Sequence, residues 1–184
     1  MRQSSDQMGT GLPEQELIEH VINIKRVSKV MKGGKRMKLS AAVVVGDGRG
    51  QVGLGHGKAS EVAAAVRKAT TRARKDMIRV SIKGHTIPHE TNGKYGASRV
   101  MVRPAAPGTG LIACPQVRAV LHAAGLSDAL SKSLGSRNPF NTARATIRAL
   151  AAVRSIEQIA SVRNKSVRHL VAREENEPVE GYAG

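Results

Sequence analysis

Between Arg26 and Lys38 the chain carries Arg26, Lys29, Lys32, Lys35, Arg36 and Lys38 around the pair Gly33-Gly34, with no acid among them. Cations at this density beside residues that lack a Cβ suit phosphate chemistry. The backbone can approach a sugar-phosphate chain closely while both flanks supply charge. A charge run alone is usually a hydrated face, but this one stands on a chain of 184 residues with 30 Lys and Arg against 14 Asp and Glu, a formal charge of +16. Such a body repels itself and gains most from a polyanion whose counterions are released on binding. Nucleic acid is therefore the expected partner. With one Phe, two Tyr and no Trp, base stacking on single strands is poorly supplied, and contacts to phosphate, sugar and groove shape on folded RNA are favoured.

Other spacings resemble catalytic or ligand motifs but lack the context each chemistry needs. Gly48-x-Gly50-x-x-Gly53 matches a dinucleotide-binding pattern, yet it leads into an expected strand and not into a helix N-terminus aimed at pyrophosphate. Gly57-Lys58 hints at a phosphate loop, but Val52 stands where the first glycine belongs and Ala59 replaces the metal-binding hydroxyl. His85 and His89 would converge only on a helix, which Pro88 disfavours. Cys114 is the only cysteine; nothing nearby in sequence supplies it with a base, so a packing role is expected. Asn164-Lys165-Ser166 fits a glycosylation acceptor but reads as a turn. We expect no enzyme activity, no metal and no cofactor.

The elements that must hold the basic segment follow from patterning. Residues 1–12 read as a flexible lead, and Pro13 to Glu19 suit a short helix. Ile22, Ile24 and Val27 favour a strand that enters the basic segment, and Leu39 to Val45 return from it, making a long hairpin with a basic tip. A tight turn at Gly46 to Gly50 and a strand at Gln51 to His56 follow. Val62, Ala65, Val66, Ala69, Ala73 and Met77 then recur at helical spacing, leaving Arg67, Lys68, Arg72, Arg74 and Lys75 largely off the stripe. The helix spans about Ser60 to Met77. Besides the hairpin cations and Gly33 and Gly34, we place Arg49, Lys58, Arg67, Lys68 and Arg72 among the RNA-contacting residues.

A second unit is expected from Arg79, with a short strand at Val80 and Ile82 and a hairpin turned at Asn92-Gly93 whose return strand is Arg99 to Arg103. A Pro- and Gly-rich loop, PAAPGTG, precedes a helix from about Pro115 to Ala124 ended by Gly125. A strand-like segment spans Ala129 to Leu134. Asn138-Pro139 opens a helix to about Val153, with Ile147, Leu150 and Ala151 facing the core, and Ser155-x-x-Gln158 is a capping box. The sum is an α+β chain of two small domains, 13–78 and 79–173, with an acidic tail at 174–184 expected to be unstructured. The order helix, three strands, helix is that of a double-stranded-RNA-binding domain, an order many α+β domains share.

No apolar run approaches membrane length, the purest being Ala41 to Val45. The polar start MRQSSDQMGTG lacks the apolar core of a secretory signal, and a lone thiol suits a reducing compartment. A cytoplasmic location with no membrane partner and no homo-oligomer is expected.

Four segments, RVSKVMKGGKR (26–36), VVVGDGRGQVGLGHGKASEV (43–62), SRVMVRPAAPGTGLIA (98–113) and GSRNPFNTARAT (135–146), occur in the order found in the bacterial family of small-subunit ribosomal protein number five, which the chain resembles from about Glu16 to Leu170. The resemblance implies a first domain similar to a double-stranded-RNA-binding fold and a second with a left-handed βαβ crossover, against the usual hand. It further implies that Ser28, Lys29, Lys32, Gly33, Gly34 and Arg36 reach small-subunit ribosomal RNA at the neck of the subunit, near the site of spectinomycin action. Contact with ribosomal protein number four is implied at Pro107, Gly108, Thr109, Gly110 and Arg118, an interface tied to decoding accuracy. Contact with number eight is implied through the second domain, and a place beside the messenger RNA entry path goes with both. The segment Pro88 to Lys94 departs from the family pattern. The alternatives are an accessory protein of RNA processing or ribosome assembly and, more distantly, a nucleotide-dependent kinase sharing the second fold.

Overall fold

The structure, a computed structural model, describes residues 17–167. The expected flexible lead and acidic tail lie outside them, as does most of the expected first helix, whose last residues, Ile18 and Glu19, are strand instead. β1 (Ile18–Met31) and β2 (Gly34–Gly46) form one long antiparallel hairpin. β3 (Gln51–Ala59) pairs with β2, α1 (Val62–Lys75) follows, and β4 (Ile78–Arg79) completes a sheet of order β1-β2-β3-β4. A second sheet, of order β5-β6-β8-β7, holds β5 (Thr91–Tyr95), β6 (Ser98–Pro104), β7 (Leu111–Ile112) and β8 (Ala129–Gly135). α2 (Pro115–Ala124) joins β7 to β8, and α3 (Pro139–Ala151) and α4 (Ile156–Val162) follow. β7 and β8 are parallel, so β7-α2-β8 is the βαβ crossover of the second unit.

The apolar run at Ala41 to Val45 is explained by a sheet buried on both faces. Val43 and Val45 pack with Ala69 and Ala73 of α1. Val44, Val52 and Leu54 face the other way, into a core shared with Val120, Leu121, Ala123 and Ala124 of α2. On the α1 side, β3 presents Gly53, Gly55 and Gly57. A Cβ on these would lie 2.1, 1.8 and 2.1 Å from the carbonyl oxygens of Ala73, Ala69 and Ala65. The helix therefore lies directly on the strand, with small residues on both sides.

The turn between β2 and β3 is fastened to the end of α2. Asp47 Oδ1 accepts from the amides of Arg49 and Gln51, both at 2.8 Å. Gly48 N donates to Ala123 O at 3.1 Å and Gly50 N to Ala124 O at 2.9 Å, which satisfies carbonyls that a helix end leaves without partners. Gly48 and Gly50 have φ of +66° and +104°, so the apparent dinucleotide motif is a turn plus one helix-packing glycine.

Three local expectations are corrected. The strand expected at Val80 and Ile82 is Ile78–Arg79, and it pairs with β3 of the first sheet while Val80 enters the shared core. Asn92-Gly93 is not a turn but lies inside β5, and the hairpin turns at Gly96-Ala97, with Gly96 at φ +56°. Gly93 is needed for closeness, since a Cβ there would lie 2.0 Å from Ala145 O of α3. Ala151 is exposed; Ala145, Ala149 and Leu150 carry the buried face of α3. The caps stand as expected: Asn138 Oδ1 accepts from Phe140 N, Ser155 and Gln158 form a capping box, and Gly125 ends α2 at φ +89°.

Candidate nucleic-acid interface

The basic segment is the outer end of the β1–β2 hairpin. Its register runs from Arg26 opposite Leu39 to Met31 opposite Gly34, with Lys32 and Gly33 as the two-residue turn. Five residue steps at strand rise give this finger a reach of roughly 17 Å beyond Arg26. Every residue from Ser28 to Lys38 is exposed. Among the described residues none of the six finger cations has an ion-pair partner, so their charge is available to an external anion.

The two faces of the finger differ, because residues opposite each other in an antiparallel pair share a face. Lys25, Lys29, Arg36 and Lys38 lie on one face, while Arg26 and Lys35 share the other with Val30, Met37 and Leu39. A bulge at Ile22 sets this arrangement. Val21 pairs with Val43 but Asn23 pairs with Ala42, and one extra residue turns the odd-numbered positions that follow to the opposite side. The cation-rich face is continuous with the one on which the second unit packs.

The remaining expected RNA contacts are spread over the first unit. Arg49 is exposed in the β2–β3 turn and Lys58 is exposed near the end of β3. Arg67 and Lys68 are exposed on α1. Arg72 is held, its guanidinium donating to His56 O at 2.7 Å, and it lines a cleft between α1 and α3 with Lys75, Asp76 and Arg144. The finger and α1 cations are therefore two separate patches.

The expected protein-contact residues fall on a loop and one helix of the second unit. Gly108 and Gly110 have φ of +85° and +74°, and Thr109 Oγ1 donates to Ala106 O at 2.7 Å. Gly110 N donates to Asp128 Oδ1 at 2.8 Å. Asp128 is 6% exposed, so a buried carboxylate clamps the loop to the start of β8. Arg118 is exposed on α2, one turn from its start.

Several residues were not singled out from sequence. Asp128 gives no signal beyond an acid after a helix end. His56 bonds Ser40 Oγ through Nε2 at 2.7 Å, and burial, then Lys58, then Arg72 lower its pKa from the ordinary histidine value. Phe140 packs edge-on against His56, ring centres 5.4 Å apart. Arg148 and Arg144 stack over Tyr95 at 4.8 and 5.3 Å. The lone Phe was the one available clue.

No group of metal-ligating side chains is gathered among the described residues, and no helix among them is long and apolar enough to cross a membrane. Two α+β units, one extended as an acid-free basic finger, define an RNA-binding protein class. Family comparison is more specific: residues 17–81 match the model for ribosomal protein S5, N-terminal domain, and residues 93–163 that for its C-terminal domain. The chain is 51% identical over 158 residues to small ribosomal subunit protein uS5 of Chloroflexus aurantiacus, covering 86% of this chain and 89% of that protein. It is 52% identical over 156 residues to the protein of that name from Thermosynechococcus vestitus (84% and 90% covered). With that from Lawsonia intracellularis it is 50% identical over 148 residues (80% and 91%). The chain belongs to the ribosomal protein S5 family, whose members are structural and not catalytic.

Proposed function

We propose that the chain is a structural constituent of the small ribosomal subunit in the bacterial cytoplasm, bound to small-subunit ribosomal RNA through the β1–β2 finger. One observation carries this reading: six exposed cations, with no acid between Arg26 and Lys38, extend beyond a sheet whose inner end is buried on both faces. Phosphates at an RNA junction neutralise the finger, and the two-residue turn at Lys32 and Gly33 lets the tip approach closely. Arg49, Lys58, Arg67, Lys68 and Arg72 serve further contacts around the first unit.

The finer assignments follow the family likeness. The loop at Pro107, Gly108, Thr109 and Gly110, with Arg118, serves contact with ribosomal protein number four, and its clamp to Asp128 supports a defined docking shape. Contact with number eight has a fitting surface in the uncovered face of the second sheet, where Ile112, Leu130 and Leu134 are exposed near Arg99 and Lys132. Roles beside the messenger RNA entry path and in assembly and accuracy follow from such a position. The division at residues 78 and 79 is supported by family matches that end at 81 and resume at 93.

Sedimentation of cell extracts tests the reading. A structural constituent stays with mature small subunits after a moderate salt wash. Release into the soluble fraction would instead favour the accessory role in processing or assembly.

A further inference from the structure

At the root of the finger a cleft of about 340 Å³ opens between the cation-rich sheet face and the first turn of α3. Lys25, Ser40 and Lys58 form one rung across β1, β2 and β3, since Lys25 pairs with Ser40 and Ser40 with Lys58. Two strand spacings separate the lysine backbones by about 9.5 Å, a gap their flexible stems can close on one phosphate. The next rung brings Asn23, Ala42 and His56. Across the cleft stand Asn138 and Phe140. No acid lines it.

We propose that this cleft binds one unpaired nucleotide of the RNA, its phosphate between Lys25 and Lys58 and its base against Phe140. The proposal rests on the RNA-binding reading but concerns a site distinct from the finger tip. The cleft's size falls in the range of small-ligand pockets, and splayed bases of folded RNA stack on aromatic side chains and bond through their edges. Asn138 spends Oδ1 on capping α3, which leaves its amide hydrogens for a base acceptor. Asn23 offers both donor and acceptor. His56, whose pKa is lowered by burial and by Lys58 and Arg72, packs edge-on against Phe140 and backs its ring. The bulge at Ile22 acquires a purpose, because without it Asn23 and Lys25 would face α1.

The chain has no Trp, so Phe140→Trp places a single fluorophore in the cleft. Titration with purified small-subunit ribosomal RNA should quench it. Adding Lys25→Ala and Lys58→Ala should abolish the quench at saturation and reduce the log-log salt slope of binding by about 0.7, for the one single-strand phosphate the two lysines share. Lys32→Ala with Arg36→Ala should weaken binding but leave the quench intact at saturation. RNA retained on a filter with unchanged fluorescence would overturn the cleft proposal and leave RNA binding standing; no retention in dilute buffer would overturn both. An equal quench by free adenosine monophosphate at micromolar concentration would also overturn it, marking a small-molecule site. Should Phe140→Trp not fold, 2′-hydroxyl acylation of RNA bound to the otherwise unaltered protein provides the readout. An unpaired nucleotide should lose protection on Lys25→Ala with Lys58→Ala, and an identical protection pattern would refute the site.

Discussion

The two ends of the β1–β2 ladder share one continuous pairing and live in opposite environments. At the inner end Val43, Val44 and Val45 are fully buried, held between α1 on one face and α2 on the other. At the outer end both faces are in solvent and cations replace the valines. A two-stranded ribbon is marginal by itself, so the finger takes its direction from the inner end. Binding and stability should therefore be separable along the same two strands, with substitutions at one end changing the fold and at the other changing affinity.

The largest effect is expected beneath α1. Gly55→Ala sets a Cβ against the Ala69 carbonyl, where neither backbone can yield, and should cost about 3 kcal/mol or more in urea unfolding. Lys32→Ala with Arg36→Ala, exposed at the other end, should stay within about 0.5 kcal/mol of the parent. Equal losses in the two variants would erase the distinction.

Asp128→Ala removes the acceptor for Gly110 N and should cost about 1.5 to 3 kcal/mol, as for hydrogen bonds to charged groups. Hydrogen exchange at the Gly110 amide should accelerate while finger amides stay as they were. A unit clamped independently of the finger requires that result.

Removing patches one at a time sharpens the comparison further. Arg67→Ala with Lys68→Ala should reduce the salt slope by at most about 1.8, at 0.9 per phosphate, and should do so additively with finger substitutions because the patches are separate. Strong non-additivity would mean one shared phosphate track.

The smallest effect is a pH dependence. The pKa of His56 is lowered in the folded chain, so the unfolded chain binds more protons and stability falls as pH drops from about 7 towards 5. Phosphate near Lys58 and Arg72 relieves part of that lowering, so RNA affinity should rise over the same interval. His56→Gln should flatten both trends, and unchanged trends would exclude His56 as their source.

Where one local signal decided the outcome, the sequence was legible: the β-branched residues leading into the basic tip and the apolar run returning from it, the alanine stripe of α1, and the caps at Asn138, Ser155 and Gly125 all mark real elements. Asn92-Gly93 misled because Gly there serves contact with α3, a tertiary need indistinguishable in sequence from a turn. The short β4 and β7 strands carry no periodicity in two residues. Of the candidate interface, the finger was visible as composition, whereas the cleft at its root depends on a bulge and on α3 arriving from residues over 100 positions away. Asp128 was equally hidden, its partner being a backbone amide.

The most direct test is the salt dependence of binding to small-subunit ribosomal RNA by the parent and by Lys32→Ala with Arg36→Ala, with urea unfolding measured on the same samples. An exposed finger docked on phosphate predicts weaker binding and a slope lower by about 1.4 to 1.8 with stability unchanged. Unaltered affinity and slope would contradict it.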